Sequence, residues 1–184
     1  KLRKINEQLS LLSLRFGENV LKETNNFELI IDDEKDLAGL PDAVISAASE
    51  AANKKGYDGK WLFSLQKTSF IPYLQYGKNR NIREKLLMGY VNRGDNNNEF
   101  DNKAIISDII SLRLQRANLL GYKTHADFIL EENMAKTQDK VYEFLNQIWE
   151  PALKMAKKEA EELQQMIIQD GHDFKLEPWD WWYY

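Results

Sequence analysis

Residues 137–171 read TQDKVYEFLNQIWEPALKMAKKEAEELQQMIIQDG. Thr137 is a good N-cap, Asp139 puts an anion at the positive end of the first turn, and Gly171 supplies a stop. Between them Val141, Phe144, Ile148, Ala152, Met155, Ala160, Leu163 and Ile167 recur on one face at helical spacing. This is the longest element of the chain, and it is an amphipathic helix. Pro151 lies inside the pattern, removes one backbone hydrogen bond and crowds the carbonyl of Gln147, so a kink is expected there.

Working outward, the same periodicity recurs. Thr124, with Asp127 three residues on, opens a short helix, and Asp101 or Asn102 caps one that carries Ile105, Ile106, Ile109, Ile110, Arg113 and Ala117 and ends at Gly121. Residues 82–93 form a helix with Leu86, Leu87 and Tyr90 on the buried side, and Ser69–Gly77 is a short aromatic helix or turn. Pro41-Asp42 opens a helix through Val44, Ile45, Ala48 and Ala52, finished by Lys54-Lys55 and Gly56. Leu2, Ile5, Leu9, Leu12 and Phe16 make one apolar stripe at the start, better suited to a packed core helix than to a coiled coil of so few heptads. Only residues 27–31 and 61–65 are β-prone, and they are expected to pair as a small antiparallel ribbon. The fold class is mainly α: a multi-helical lobe, residues 1–184 being one helical segment. Both ends read as cut, since the chain lacks an initiator Met and stops on aromatic residues with no polar tail.

Composition narrows the function classes. Twenty-five Lys and Arg against 29 Asp and Glu leave a net charge of −4, the wrong sign for a nucleic-acid surface. Without cysteine there is no disulfide, no thiolate metal ligand and no thiol nucleophile; this fits a reducing compartment, and the cytoplasm is the assignment, with the periplasm as alternative. No stretch approaches the roughly 20 apolar residues of a membrane span.

Catalytic motifs are absent as well. His125 and His172 have no partner at metal-ligand spacing and read as solvent-facing residues at helix ends. Gly94-Asp95-Asn96-Asn97-Asn98 is a loop without the Lys and Ser/Thr of a phosphate cradle; it reads as a solvated connection or the rim of a cleft. There is no Gly-x-Ser-x-Gly elbow. Glu131-Glu132 and Glu159, Glu161 and Glu162 read as solvated faces. The unusual feature is the tail, Trp179-Asp180-Trp181-Trp182-Tyr183-Tyr184. Trp179, Trp182 and Tyr183 sit at helical spacing and are expected to begin a new buried helix, with Pro178 in its first turn. The other reading is an aromatic platform for peptide side chains or sugar rings.

Several blocks taken together resemble a known family. Glu177-Pro178-Trp179-Asp180-Trp181-Trp182-Tyr183-Tyr184 is similar to a signature of the thimet oligopeptidase-like zinc metallopeptidases, peptidyl-dipeptidase branch. So are Phe16–Leu21, Leu37-Ala38-Gly39-Leu40-Pro41, Asn92-Arg93-Gly94-Asp95 with Asn98–Asn102, and Leu120–Phe128 running on into Glu131–Thr137. The blocks cover nearly the whole chain in the family's order.

The resemblance implies a two-lobed, largely helical zinc peptidase around a deep channel that admits short unstructured peptides and releases dipeptides from their C-termini. Its metal motif, His-Glu-x-x-His plus a later Glu, occurs nowhere here, so the resemblance places this segment upstream of the catalytic helix. No catalytic and no metal-ligating residue is assigned to this chain, which is expected to be inactive alone and to bind no zinc itself, the zinc belonging to the full-length parent. Its partners are the remainder of the same polypeptide and, in the parent, short peptides. Trp179, Asp180 and Tyr183 are the residues expected to line the cleft. Arg93 and Lys136 are conceivable donors to a substrate carboxylate, local pairing being the favoured reading. The alternative is a self-standing helical module that binds a peptide or sugar through the aromatic tail.

Overall fold

The computed structural model describes all 184 residues, Lys1–Tyr184. Seven helices follow the periodic segments: α1 (Leu2–Asn26), α2 (Asp42–Lys54), α3 (Lys67–Tyr76), α4 (Arg80–Val91), α5 (Lys103–Leu119), α6 (His125–Leu130) and α7 (Gln138–Gln169). The β content is a single antiparallel pair, β1 (Leu29–Ile31) with β2 (Trp61–Phe63), in the register Leu29 to Phe63 and Ile31 to Trp61. The mainly α reading and the small ribbon at the two β-prone runs are both correct.

The contacts group into two units. The first takes Lys1–Asn19 with Asp101–Ala160, and the second takes Val20–Phe100 with Glu161–Tyr184. The first unit buries Ile5 and Leu9 of α1, Ile105 and Ala117 of α5, and a polar pair. Asn19 donates to the Asn102 side chain at 3.0 Å, and Asn102 donates to the Phe16 carbonyl at 3.2 Å. Asn102 thus spends its side chain on α1. It stands at the N-cap of α5 without capping it, while Asp101 accepts from the Lys103 N–H at 2.9 Å. Thr124 and Asp127 form the reciprocal capping box that their spacing suggested.

The second unit holds the larger apolar core. Ile31 and Phe63 of the ribbon meet Leu37, Leu40, Phe70, Tyr73, Leu74 and Leu86. Tyr73 meets the Phe63 ring edge-on at 4.9 Å, and Phe70 stacks on Tyr90 at 4.5 Å. Tyr73 is wholly buried and donates to the Asp36 carbonyl; burial first, then the Asp36 charge, push its phenol far above the ordinary tyrosine range. Gly56 takes the left-handed backbone after α2, with φ +81°.

One expectation needs correction. Trp179 does not begin a helix: Pro178–Asp180 is one 3₁₀ turn, and Trp182 is 51% exposed. A helix would need partners for its whole apolar face, whereas here a buried carboxylate fixes the turn. The stripe on α7 is real but largely uncovered: Phe144, Ile148 and Met155 are exposed, and Ile167 is its one buried member. The helix assignment runs unbroken through Pro151.

Candidate functional site

The C-terminal segment is fastened by charge. Gln164 of α7 holds an extended stretch at both backbone groups, donating to the Phe174 carbonyl at 3.0 Å and accepting from the Leu176 N–H at 2.8 Å. Beyond it Asp180 is fully buried. Its carboxylate accepts from Arg80 Nε and Nη2 at 2.9–3.1 Å, from Arg83 Nη2 at 2.9 Å and from the Glu177 N–H at 3.1 Å. Arg83, 1% exposed, also donates to the carbonyls of Gly77, Lys78 and Trp179. Each guanidinium lies against aromatic rings, Arg80 over Phe174 at 4.3 Å and Arg83 over Tyr183 at 4.1 Å. Arg80 and Arg83 sit three residues apart on α4, so one helix face presents both forks to one carboxylate.

Trp179, Asp180 and Tyr183, the three residues singled out from the sequence, are therefore brought together, and α4 supplies the cations around them. Within this chain Asp180 has no open face. The exposed aromatics are its neighbours Trp181 and Trp182, at 40% and 51%. The two arginines gave no signal in the sequence beyond their i, i+3 spacing.

A second feature lies between the end of α1, β1 and α4. A groove of about 640 Å³ has Phe27, Leu65 and Phe100 among its apolar lining residues. The Asn-rich loop closes one end, and it is organised rather than merely solvated. Glu23, 7% exposed, accepts from the Gly94 N–H, from Asn96 at 2.9 Å and from Asn98 at 2.7 Å. Arg93 donates to the Tyr90 carbonyl and to Thr24 Oγ1, both at 2.8 Å, and lies over the Tyr90 ring. Lys136 donates to the Glu131 carbonyl at 2.8 Å. Both cations are thus engaged locally. Replacing Glu23 by Gln is expected to cost about 2 kcal/mol, because the new NH₂ would face the amide donors of Asn96 or Asn98. Urea unfolding of the two proteins measures this.

Comparison with known proteins now decides the family. The model of peptidase family M3 matches residues 73–184, more than half of the chain and inclusive of the Arg80–Arg83–Asp180 cluster. The chain belongs to peptidase family M3. Over 181 residues it is 34% identical to oligopeptidase A of Haemophilus influenzae, covering 96% of this chain and 26% of that protein. Over 184 residues it is 33% identical to dipeptidyl carboxypeptidase of Escherichia coli, covering all of this chain and 27% of that protein. A probable cytosolic oligopeptidase A of Arabidopsis thaliana is 38% identical over 161 residues. The chain spans about a quarter of the length of the curated relatives it matches.

The residues of this M3 chain do not fit the zinc that the family implies. No three His, Asp or Glu side chains are grouped to hold a metal ion. His172 is exposed and stacks on Phe174 at 5.2 Å. His125 departs from the sequence expectation: it is half-buried, and its Nδ1 is buried without a partner, beside two arginines of α5. Burial, then Arg113 and Arg116, hold its imidazole below the usual value of 6.5. A folded-state pKa below the unfolded one means that the unfolded chain binds more protons in the interval between them. The contribution of His125 is therefore complete above about pH 6.5 and is lost as the pH falls through the folded pKa. An NMR titration should put the His125 midpoint below 6.5. A His125→Phe variant should lose less stability than the parent chain between pH 7.5 and 5.5.

Proposed function

We propose that this chain is a non-catalytic helical part of a zinc-dependent oligopeptidase. In that reading it walls the channel through which short unstructured peptides reach the metal, and the whole enzyme releases dipeptides from their C-termini. The observation that carries it is colinear similarity along the entire chain to a dipeptidyl carboxypeptidase nearly four times as long, in a sequence without His-Glu-x-x-His. Zinc, held by two His and a Glu of the remaining polypeptide, would there activate water and stabilise the oxyanion of the cleaved peptide bond.

Residues 1–184 then act as one segment of a two-lobed protein, with the remainder of the same polypeptide as principal partner. Exposed apolar side chains on α7, Tyr142, Leu145 and Trp149 among them, supply a surface for it. The cleft-facing part of the tail is assigned to Trp179 and Tyr183, with Asp180 holding them from behind. The cytoplasm is the assigned compartment, supported by the lack of cysteine and by one plant relative being named a probable cytosolic oligopeptidase A. No helix is long and apolar enough to cross a membrane.

The test is direct. The 184-residue chain should cleave no peptide and should retain no zinc after dialysis. Joined to a region carrying His-Glu-x-x-His, it should support dipeptide release that a chelator abolishes. Peptidase activity of the chain alone overturns the reading. The alternative, a self-standing binding module, draws on the exposure of Trp181 and Trp182, and predicts that a sugar or short peptide quenches their fluorescence in the isolated chain.

A further inference from the structure

Three side chains at the groove beside β1 have no partner within the chain: the amides of Asn26 and Asn92 and the ammonium of Lys85. The groove's carboxylates are by contrast already engaged, Glu23 by Gly94, Asn96 and Asn98, and Glu28 by Lys55. An apolar floor with unspent hydrogen-bonding groups and a free cation describes a site for a ligand that is part backbone, part apolar and part anionic.

The wall shapes narrow that further. Glu28, Leu29 and Ile30 all border the groove, although successive strand side chains point to opposite faces. The border is therefore the edge of β1 rather than one of its faces. β1 pairs with β2 alone, so this edge carries backbone N–H and C=O groups that no strand satisfies. Another wall is one side of α4 and its C-cap, Lys85, Met88, Gly89 and Asn92 at i, i+3, i+4 and i+7. At 1.5 Å per helical residue that wall is about 10 Å long, the length of roughly three residues of extended chain. Gly89 lets the Phe27 ring pack directly on that wall, since a Cβ there would stand 2.5 Å from the ring.

We propose that this groove binds an extended acidic peptide segment as an added strand on β1. The backbone pairs with the β1 edge, and Asn26 and Asn92 each offer a donor and an acceptor to a peptide unit. Gln164 already treats the Phe174–Leu176 backbone in that way. Alternate side chains pack on Phe27, and an acidic side chain meets Lys85. An internal carboxylate is the fit, because strand pairing needs chain on both sides of the seated residues. The site deepens the reading above by giving the segment its own hold on a peptide. It stands separately from the zinc chemistry, because direct binding tests it.

The experiment uses the full 184-residue chain and a fluorescent octapeptide, acetylated and amidated, alternating valine with glutamate. Anisotropy should show saturable binding. N-methylation of alternate peptide bonds should weaken it at least about tenfold, since side chains are kept and strand hydrogen bonds are lost. Lys85→Glu should weaken it about threefold to fivefold; Lys85 is exposed and unpartnered, so circular dichroism should show the fold intact. Gly89→Ala should weaken binding by moving Phe27. Absence of binding, equal binding of the N-methylated peptide, equal binding of a valine–lysine peptide, or an unaltered affinity in Lys85→Glu overturns the proposal. None of these outcomes bears on whether the parent enzyme needs zinc.

Discussion

Asp180→Ala should destabilise the second unit by about 3–5 kcal/mol, the scale for breaking one partner out of a buried charge cluster. The effect is large because of what remains. Arg83 is 1% exposed and would keep the carbonyls of Gly77, Lys78 and Trp179, but lose its counter-charge. Arg80, with about a quarter of its side chain exposed, can partly rehydrate, and this caps the cost. Asp180→Asn keeps the shape and removes the charge, leaving an amide NH₂ that must face an arginine donor; its cost should approach that of Ala. Urea denaturation followed by tryptophan fluorescence measures both variants, since Trp179, Trp181 and Trp182 flank the site. A loss under 1 kcal/mol for Asp180→Ala would show that the tail is held by packing instead.

Gly39→Ala is the second large effect, expected at about 3–4 kcal/mol. Gly39 has φ +90°, and an added Cβ would stand 2.2 Å from the Tyr76 carbonyl oxygen. The clash is with backbone, so no side-chain rotation relieves it. Nearby, the Lys78 N–H donates to the Ala38 carbonyl at 2.9 Å, so any shift of Gly39 also strains this tie between the Leu37–Leu40 turn and the end of α3. Gly56→Ala is the control: φ is similar, at +81°, but nothing lies within 4 Å of the added atom. It should cost only the backbone term of about 1–2 kcal/mol. Thermal unfolding of the two variants separates the steric from the conformational part. Equal losses would refute the steric account.

These residues show what a sequence displays and what it conceals. Local rules carried the helices, the ribbon and the caps: the Thr124–Asp127 box, the glycine stops and the pairing of two β-prone runs depend on neighbours a few residues away. The clamp depends on Arg83 and Asp180, 97 residues apart, and no local pattern joins them. Local spacing accordingly predicts an apolar helix for the tail, whose decisive atoms are carboxylate oxygens. Periodicity likewise marked the apolar face of α7 but not what covers it, and in this chain Phe144 and Ile148 stay open to solvent. The Asn-rich loop looked solvated because Glu23, which organises it, lies more than 70 residues earlier. Family membership was legible because it rests on order and identity along the chain, which need no geometry.

The second unit is discontinuous, and this has a consequence for the order of events at the ribosome. Its first stretch, Val20–Phe100, is synthesised well before Glu161–Tyr184. The 97 residues between Arg83 and Asp180 take roughly 5–20 s to emerge at ordinary elongation rates. Through that interval the ribbon, α2 and α3 can assemble by local contacts, while the Arg83 guanidinium waits without its anion. Closing so long a loop then carries an entropic cost of about 4 kcal/mol, comparable with the strength expected of the clamp. Docking of residues 174–184 therefore comes after the rest of the second unit has been made, and nascent chains stopped short of Asp180 would expose the unfilled α4 face to chaperones.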